Sequence, residues 1–124
     1  MTRARLETLQ WFGLLAGPVA FAFEHVVGVF ATLAGCNPAG SHWAVPQHPI
    51  ELAATAVAAL VVVAAEGAAY LAFRETDGVD QEGEPPLGRI RFLSTAALIV
   101  GPIFLALVLL GGLGAAAHPD CRQA

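Results

Sequence analysis

The run FLSTAALIVGPIFLALVLLGGLGAAA, from Phe92 to Ala117, contains no charged residue. A helix of roughly 20 residues crosses a hydrocarbon core of about 30 Å, so this stretch is long enough to span a bilayer. Two more apolar runs of comparable length precede it, Trp11–Ala34 and Leu52–Phe73. Inside lipid the backbone must satisfy its own hydrogen bonds, so each run is expected to be helical. None shows the strict alternation of a barrel strand. The expected fold class is all-α: one integral membrane domain over residues 1–124, with three transmembrane helices joined by loops 35–50 and 74–91.

Composition agrees. Of 124 residues 56% are hydrophobic and 13% charged, and mean hydropathy is +0.66. A soluble domain carries about a quarter charged residues, so this chain lacks the polar surface to coat a small globule. With ten acidic residues against six basic ones, and a net charge of −4, it is no nucleic-acid binder.

Arginine placement sets the expected orientation. Arg3 and Arg5 precede the first run, and Arg74, Arg89 and Arg91 lie in the second connection. The first connection has no Arg or Lys, and the carboxyl-terminal tail has only Arg122. The positive-inside rule then puts the amino terminus and loop 74–91 in the cytoplasm and the carboxyl terminus outside. The acidic residues of that loop count little in the rule. Pro49 suits the first turn of the second helix, with Glu51 at its positive end. Trp11 and Trp43 suit the two interfaces. The alternative, a cleaved lipoprotein signal ending at Leu33-Ala34-Gly35-Cys36, is disfavoured. The apolar run exceeds a signal core and carries Glu24 and His25 in its middle.

Small residues point to close packing. Gly13, Gly17, Ala20, Gly28 and Ala31 fall at three- and four-residue steps on one face of the first helix, with Glu24 on the same stripe. The second helix is rich in Ala, contains Gly67, and is expected to be enclosed. The third is expected to face lipid or an apolar partner. Gly17-Pro18 echoes Gly101-Pro102, and each Pro frees a carbonyl four residues back, at Leu14 and Leu98. These pairs read as kinks or as polar sites at matched depth.

Glu24, His25 and Glu66 are the ionisable groups well inside the spans, Tyr70 aside. Such groups are costly in lipid and mark functional or interhelical polar sites. Counting rise from the inner boundary places Glu24 and Glu66 about 9–10 Å apart in depth, a gap that one or two waters would bridge. Glu66, level with Gly17-Pro18, is expected to reach the carbonyl freed at Leu14. His25 as a haem ligand would lack a second axial His within the spans.

Cys36 and Cys121 both fall on the expected outer side, an oxidising compartment, so a disulfide is the leading reading. Metal ligation by Cys36, His42, His48, His118 and Cys121 is the alternative, since these are ligands suited to copper or zinc.

The opening Trp11-Phe12-Gly13-Leu14-Leu15-Ala16-Gly17-Pro18-Val19-Ala20-Phe21, then Glu24-His25 and Cys36, resembles the first helix of small bacterial membrane proteins associated with haem–copper oxidases and other respiratory complexes. The resemblance implies an accessory, non-catalytic subunit of the inner membrane that has no cofactor of its own and contacts lipids and other membrane subunits. Two other expectations stand beside it: an outer-face metal-handling protein, and a small proton-conducting or transport protein using Glu24 and Glu66.

Overall fold

The computed structural model describes residues 1–36, 44–118 and 121. Three helices account for nearly all of them: α1 (Arg3–Gly35), α2 (Gln47–Glu75) and α3 (Leu87–Ala117). Each is long and apolar enough to cross a membrane. At 29 to 33 residues they measure about 44–50 Å, longer than a hydrocarbon core of about 30 Å. Every helix therefore extends beyond the apolar run that marks it. Intrahelical bonding continues into Arg3–Gln10, Gln47–Glu51 and Leu87–Arg91, where side chains turn polar. Glu51 consequently sits in the second turn of α2 rather than at its start. Trp43, His42 and Arg122 lie outside the described residues.

Connectivity makes α1 and α3 parallel and α2 antiparallel to both. Arg3, Arg5, Arg74, Arg89 and Arg91 thus gather at one end of the bundle. The opposite end is closed by a disulfide between Cys36 and Cys121, with Cα atoms 5.1 Å apart.

All three helices touch one another, most extensively α1 with α2. The α2 contribution is a seam of Ala54, Ala58, Val62, Ala65, Ala69 and Ala72, all buried and spaced at helical steps. Lipid tails are as apolar as these side chains, so close van der Waals approach holds such helices together. Gly13 shows how close: a β-carbon there would meet that of Ala69 at 2.9 Å and the Ala65 carbonyl at 3.1 Å. Gly17 faces the Phe104 ring of α3. Ala20, Ala58, Val62 and Val108 form a buried layer at mid-bundle, sealed by Phe21 and Phe104. A second layer of Leu6, Ala72 and Ile90 closes the arginine end.

Two of the expected packing glycines take no part. Nothing approaches a β-carbon at Gly28 or Gly67 within 4 Å, and Gly67 faces outward. Composition marks residues able to pack closely, but only the rotation of the helix decides which do. α2 is likewise enclosed on its alanine seam alone, while Leu52, Val57, Leu60, Val63 and Leu71 are exposed. α1 and α3 run helical through Pro18 and Pro102.

At the arginine end, ends and connections are tied by charge. Arg91 donates to the Phe73 carbonyl at 2.6 Å and lies 3.6 Å over the Phe73 ring. It thereby satisfies an orphan carbonyl near the negative end of α2. Thr76 caps the same terminus through Ala72. Gly78, at φ +79°, then turns the chain away in a conformation that side chains disfavour. Arg89 and Arg3 reach Glu7 at 3.3 and 3.5 Å across exposed surface, where such pairs contribute little.

Candidate functional site

The polar groups of the disulfide half of the bundle converge on one cavity of about 620 Å³ between the helices. Glu24 lies on the buried stripe of α1 (Leu6, Gln10, Gly13, Gly17, Ala20, Glu24, Ala31) and is only 7% exposed. Its Oε1 accepts a hydrogen bond from Thr55 Oγ1 of α2 at 2.7 Å. Thr55 Oγ1 also lies 3.0 Å from the Glu51 carbonyl, one turn back on α2. A hydroxyl has one hydrogen, so Thr55 donates to one of these oxygens at a time. Its methyl packs against Gly112, while the Glu24 carboxyl lies 3.2 Å from where Gly111 would carry a β-carbon. The small residues of α3 therefore make room for the polar pair of α1 and α2.

One turn nearer the disulfide, Glu51 Oε1 accepts from Thr32 Oγ1 at 3.3 Å and from Gln47 Nε2 at 3.2 Å. Gln47 Nε2 also donates to Thr32 Oγ1 at 3.1 Å. Helices α1 and α2 are thus stitched by a polar network under the disulfide. Val29, Leu33, Leu110 and Ala115 supply apolar walls, and the imidazoles of His25, His48 and His118 complete the lining. Glu24 Oε2 is buried and has no hydrogen-bond partner.

The placement of each expected site residue follows from this geometry. His25 is exposed, within reach of the Phe21 carbonyl at 3.2 Å and 4.2 Å from the Phe21 ring centre. His48 Nε2 lies 3.1 Å from the His118 carbonyl. Cys36 and Cys121 are joined to each other, so neither offers a thiolate. Among the described residues no three His, Cys, Asp or Glu side chains converge as a metal site.

Glu66 belongs elsewhere. Its carboxyl packs on Gly101 of α3, in the space a β-carbon would need. The expected contact with Leu14 of α1 is therefore not made; α2 turns Glu66 toward the glycine of the other Gly-Pro pair. Nor do the two carboxyls lie 9–10 Å apart. Glu66 meets Gly101 and Glu24 meets Gly111, ten residues further along α3, or about 15 Å. The layer of Ala20, Ala58, Val62 and Val108 lies between these levels. Counting rise from Trp11 and Phe73 fails because neither residue marks a helix end. That apolar layer separates the two carboxyls.

Three participants, Thr32, Gln47 and Thr55, have no counterpart in the sequence reading, and Glu51 entered it only as an acid at the start of α2. Gln10 and Ser94, in the arginine half, are fully buried with no partner for their side-chain polar atoms. Both sit in runs too polar or too near a boundary to stand out.

No protein-family model, curated protein or solved structure matches the chain.

Proposed function

We propose that this chain is a non-catalytic accessory subunit of a bacterial respiratory membrane complex, a terminal oxidase or supercomplex, held in the inner membrane with its arginine end in the cytoplasm. Two independent features support that orientation. Five arginines share one end, as the positive-inside rule requires of a cytoplasmic face. The disulfide occupies the other, as an oxidising compartment requires.

The observation that carries the accessory reading is an apolar groove of about 980 Å³ along the outer side of α1, bordered by Val57, Ala58 and Val61 of α2. Its lining combines small residues (Ala4, Ala16, Ala20, Ala58) with large ones (Trp11, Phe12, Phe23). Small residues let a foreign backbone approach closely, which is how membrane helices associate. The occupant this shape fits is a transmembrane helix of a neighbouring subunit. The first-helix resemblance points to the same class of partner. The disulfide joins the two thiols that the metal-handling alternative would use, and an apolar layer lies between the two carboxyls that the proton-conducting alternative would use.

Solubilisation in mild detergent tests the proposal. The chain is expected to co-purify with haem-containing subunits, read as haem absorbance in the same fraction. Ala16→Trp, which places an indole among the residues lining the groove, is expected to release it. Isolation of the wild-type chain as a haem-free homo-oligomer would refute the proposal.

A further inference from the structure

The cavity at the disulfide end holds an acceptor without a donor. Glu24 is more than nine-tenths buried, its Oε1 is engaged by Thr55, and its Oε2 has no partner. A buried acceptor left without a partner costs more than an ordinary hydrogen bond contributes. Glu51 stands one turn above, with only its Oε1 engaged by described residues. Among the described residues no Arg or Lys lines the cavity. Its complement is therefore a cationic group with several N–H donors.

Three further features narrow the ligand. A primary ammonium carries three donors and bonds carboxylates strongly, whereas a quaternary ammonium carries none. His118, exposed and lining the same cavity, offers a ring N–H to an anionic phosphate. Val29, Leu33 and Leu110 are all more than half exposed, so the cavity opens along apolar lips. Gly28 and Gly114 leave that seam between α1 and α3 empty. An ammonium for the carboxylates, a phosphate for the imidazole and hydrocarbon for the apolar lips describe one molecule.

We propose that this cavity is a specific seat for an aminophospholipid, whose primary ammonium binds between Glu24 and Glu51 and whose acyl chains lie along the glycine seam of α1 and α3. The bound headgroup supplies the donor that Glu24 Oε2 lacks. It also fills the weakest of the three helix interfaces.

Native mass spectrometry of the full chain distinguishes the sources of this chemistry. The protein is released from micelles containing equal amounts of phosphatidylethanolamine, phosphatidylcholine and phosphatidylglycerol, and retained lipid is counted. Phosphatidylethanolamine is expected to be retained at least tenfold over the other two. Glu24→Gln should reduce that preference at least fivefold with the helical circular dichroism and the disulfide intact. Gly114→Leu, which builds into open space, should displace the lipid while leaving the fold unchanged. Equal retention of the three lipids overturns the proposal, as does unaltered preference in Glu24→Gln. Competition by soluble phosphoethanolamine at the same concentration as the lipid also overturns it, because the site would then take a free amine.

Discussion

Thr55→Val is the sharpest test of the polar core. Valine keeps the shape of threonine and the methyl that packs on Gly112, and removes only the hydroxyl that reaches Glu24 at 2.7 Å. Interhelical side-chain hydrogen bonds in membrane proteins average about 0.6 kcal/mol and rarely exceed about 1.7. Here the loss should lie at or above the top of that range. Glu24 is 7% exposed and Oε2 already lacks a partner, so the substitution leaves both carboxyl oxygens unmatched. Stranding a buried charged or polar group costs about 1–3 kcal/mol. We expect about 2 kcal/mol. The competing interaction, with the Glu51 carbonyl at 3.0 Å, is within one helix and its loss should contribute little. A double-mutant cycle separates the two. In a Glu24→Met background, where no acceptor remains across the interface, Thr55→Val should cost under about 0.5 kcal/mol, since replacing both partners by apolar groups is nearly neutral. The assay is reversible unfolding of the four proteins in mixed micelles, followed by circular dichroism. If Thr55→Val costs the same in both backgrounds, the hydroxyl acts through Glu51 alone, and the link between α1 and α2 described above is wrong.

Other outcomes follow from the same geometry. Gly13→Ala should destabilise the bundle by about 1–2 kcal/mol, because the new methyl meets Ala69 and the Ala65 carbonyl and overpacking outweighs the gain in helix propensity. Gly67→Ala, in open space, should be neutral or slightly stabilising in the same unfolding assay. Arg91→Ala should cost about 1–2 kcal/mol through the lost Phe73 carbonyl bond and ring contact, whereas Arg89→Ala, which removes an exposed pair with Glu7, should cost under about 0.5. Cys36→Ser should abolish the mobility difference between reduced and non-reduced gels and expose one thiol to maleimide. Two reactive thiols in the untreated wild-type chain would contradict the bond between Cys36 and Cys121.

The three spans were legible because lipid imposes one requirement on every residue it surrounds: the run must be apolar, and it must be helical. Arginine clustering and the pairing of Cys36 with Cys121 were legible for a related reason, since three spans place alternate connections on opposite sides. The stripe on α1 was legible too, and Glu24 falls where helical periodicity puts it. What periodicity does not carry is the azimuth of one helix against another. Gly28 and Gly67 have the composition of packing residues and touch nothing. Glu66 faces Gly101 rather than Leu14. Thr55 was one unremarkable residue among alanines until α1 placed Glu24 across from it.

Apolar run length and the spacing of charge along the chain, by themselves, determined that it forms three membrane-length helices with both cysteines at one end, because solvation by lipid acts on each segment independently. Which polar groups meet, how far Glu24 lies from Glu66, and that a cavity forms beside the disulfide were decided only when the helices packed. Those properties depend on relative rotation and height, which are set by steric contacts between α1, α2 and α3 that no single segment contains.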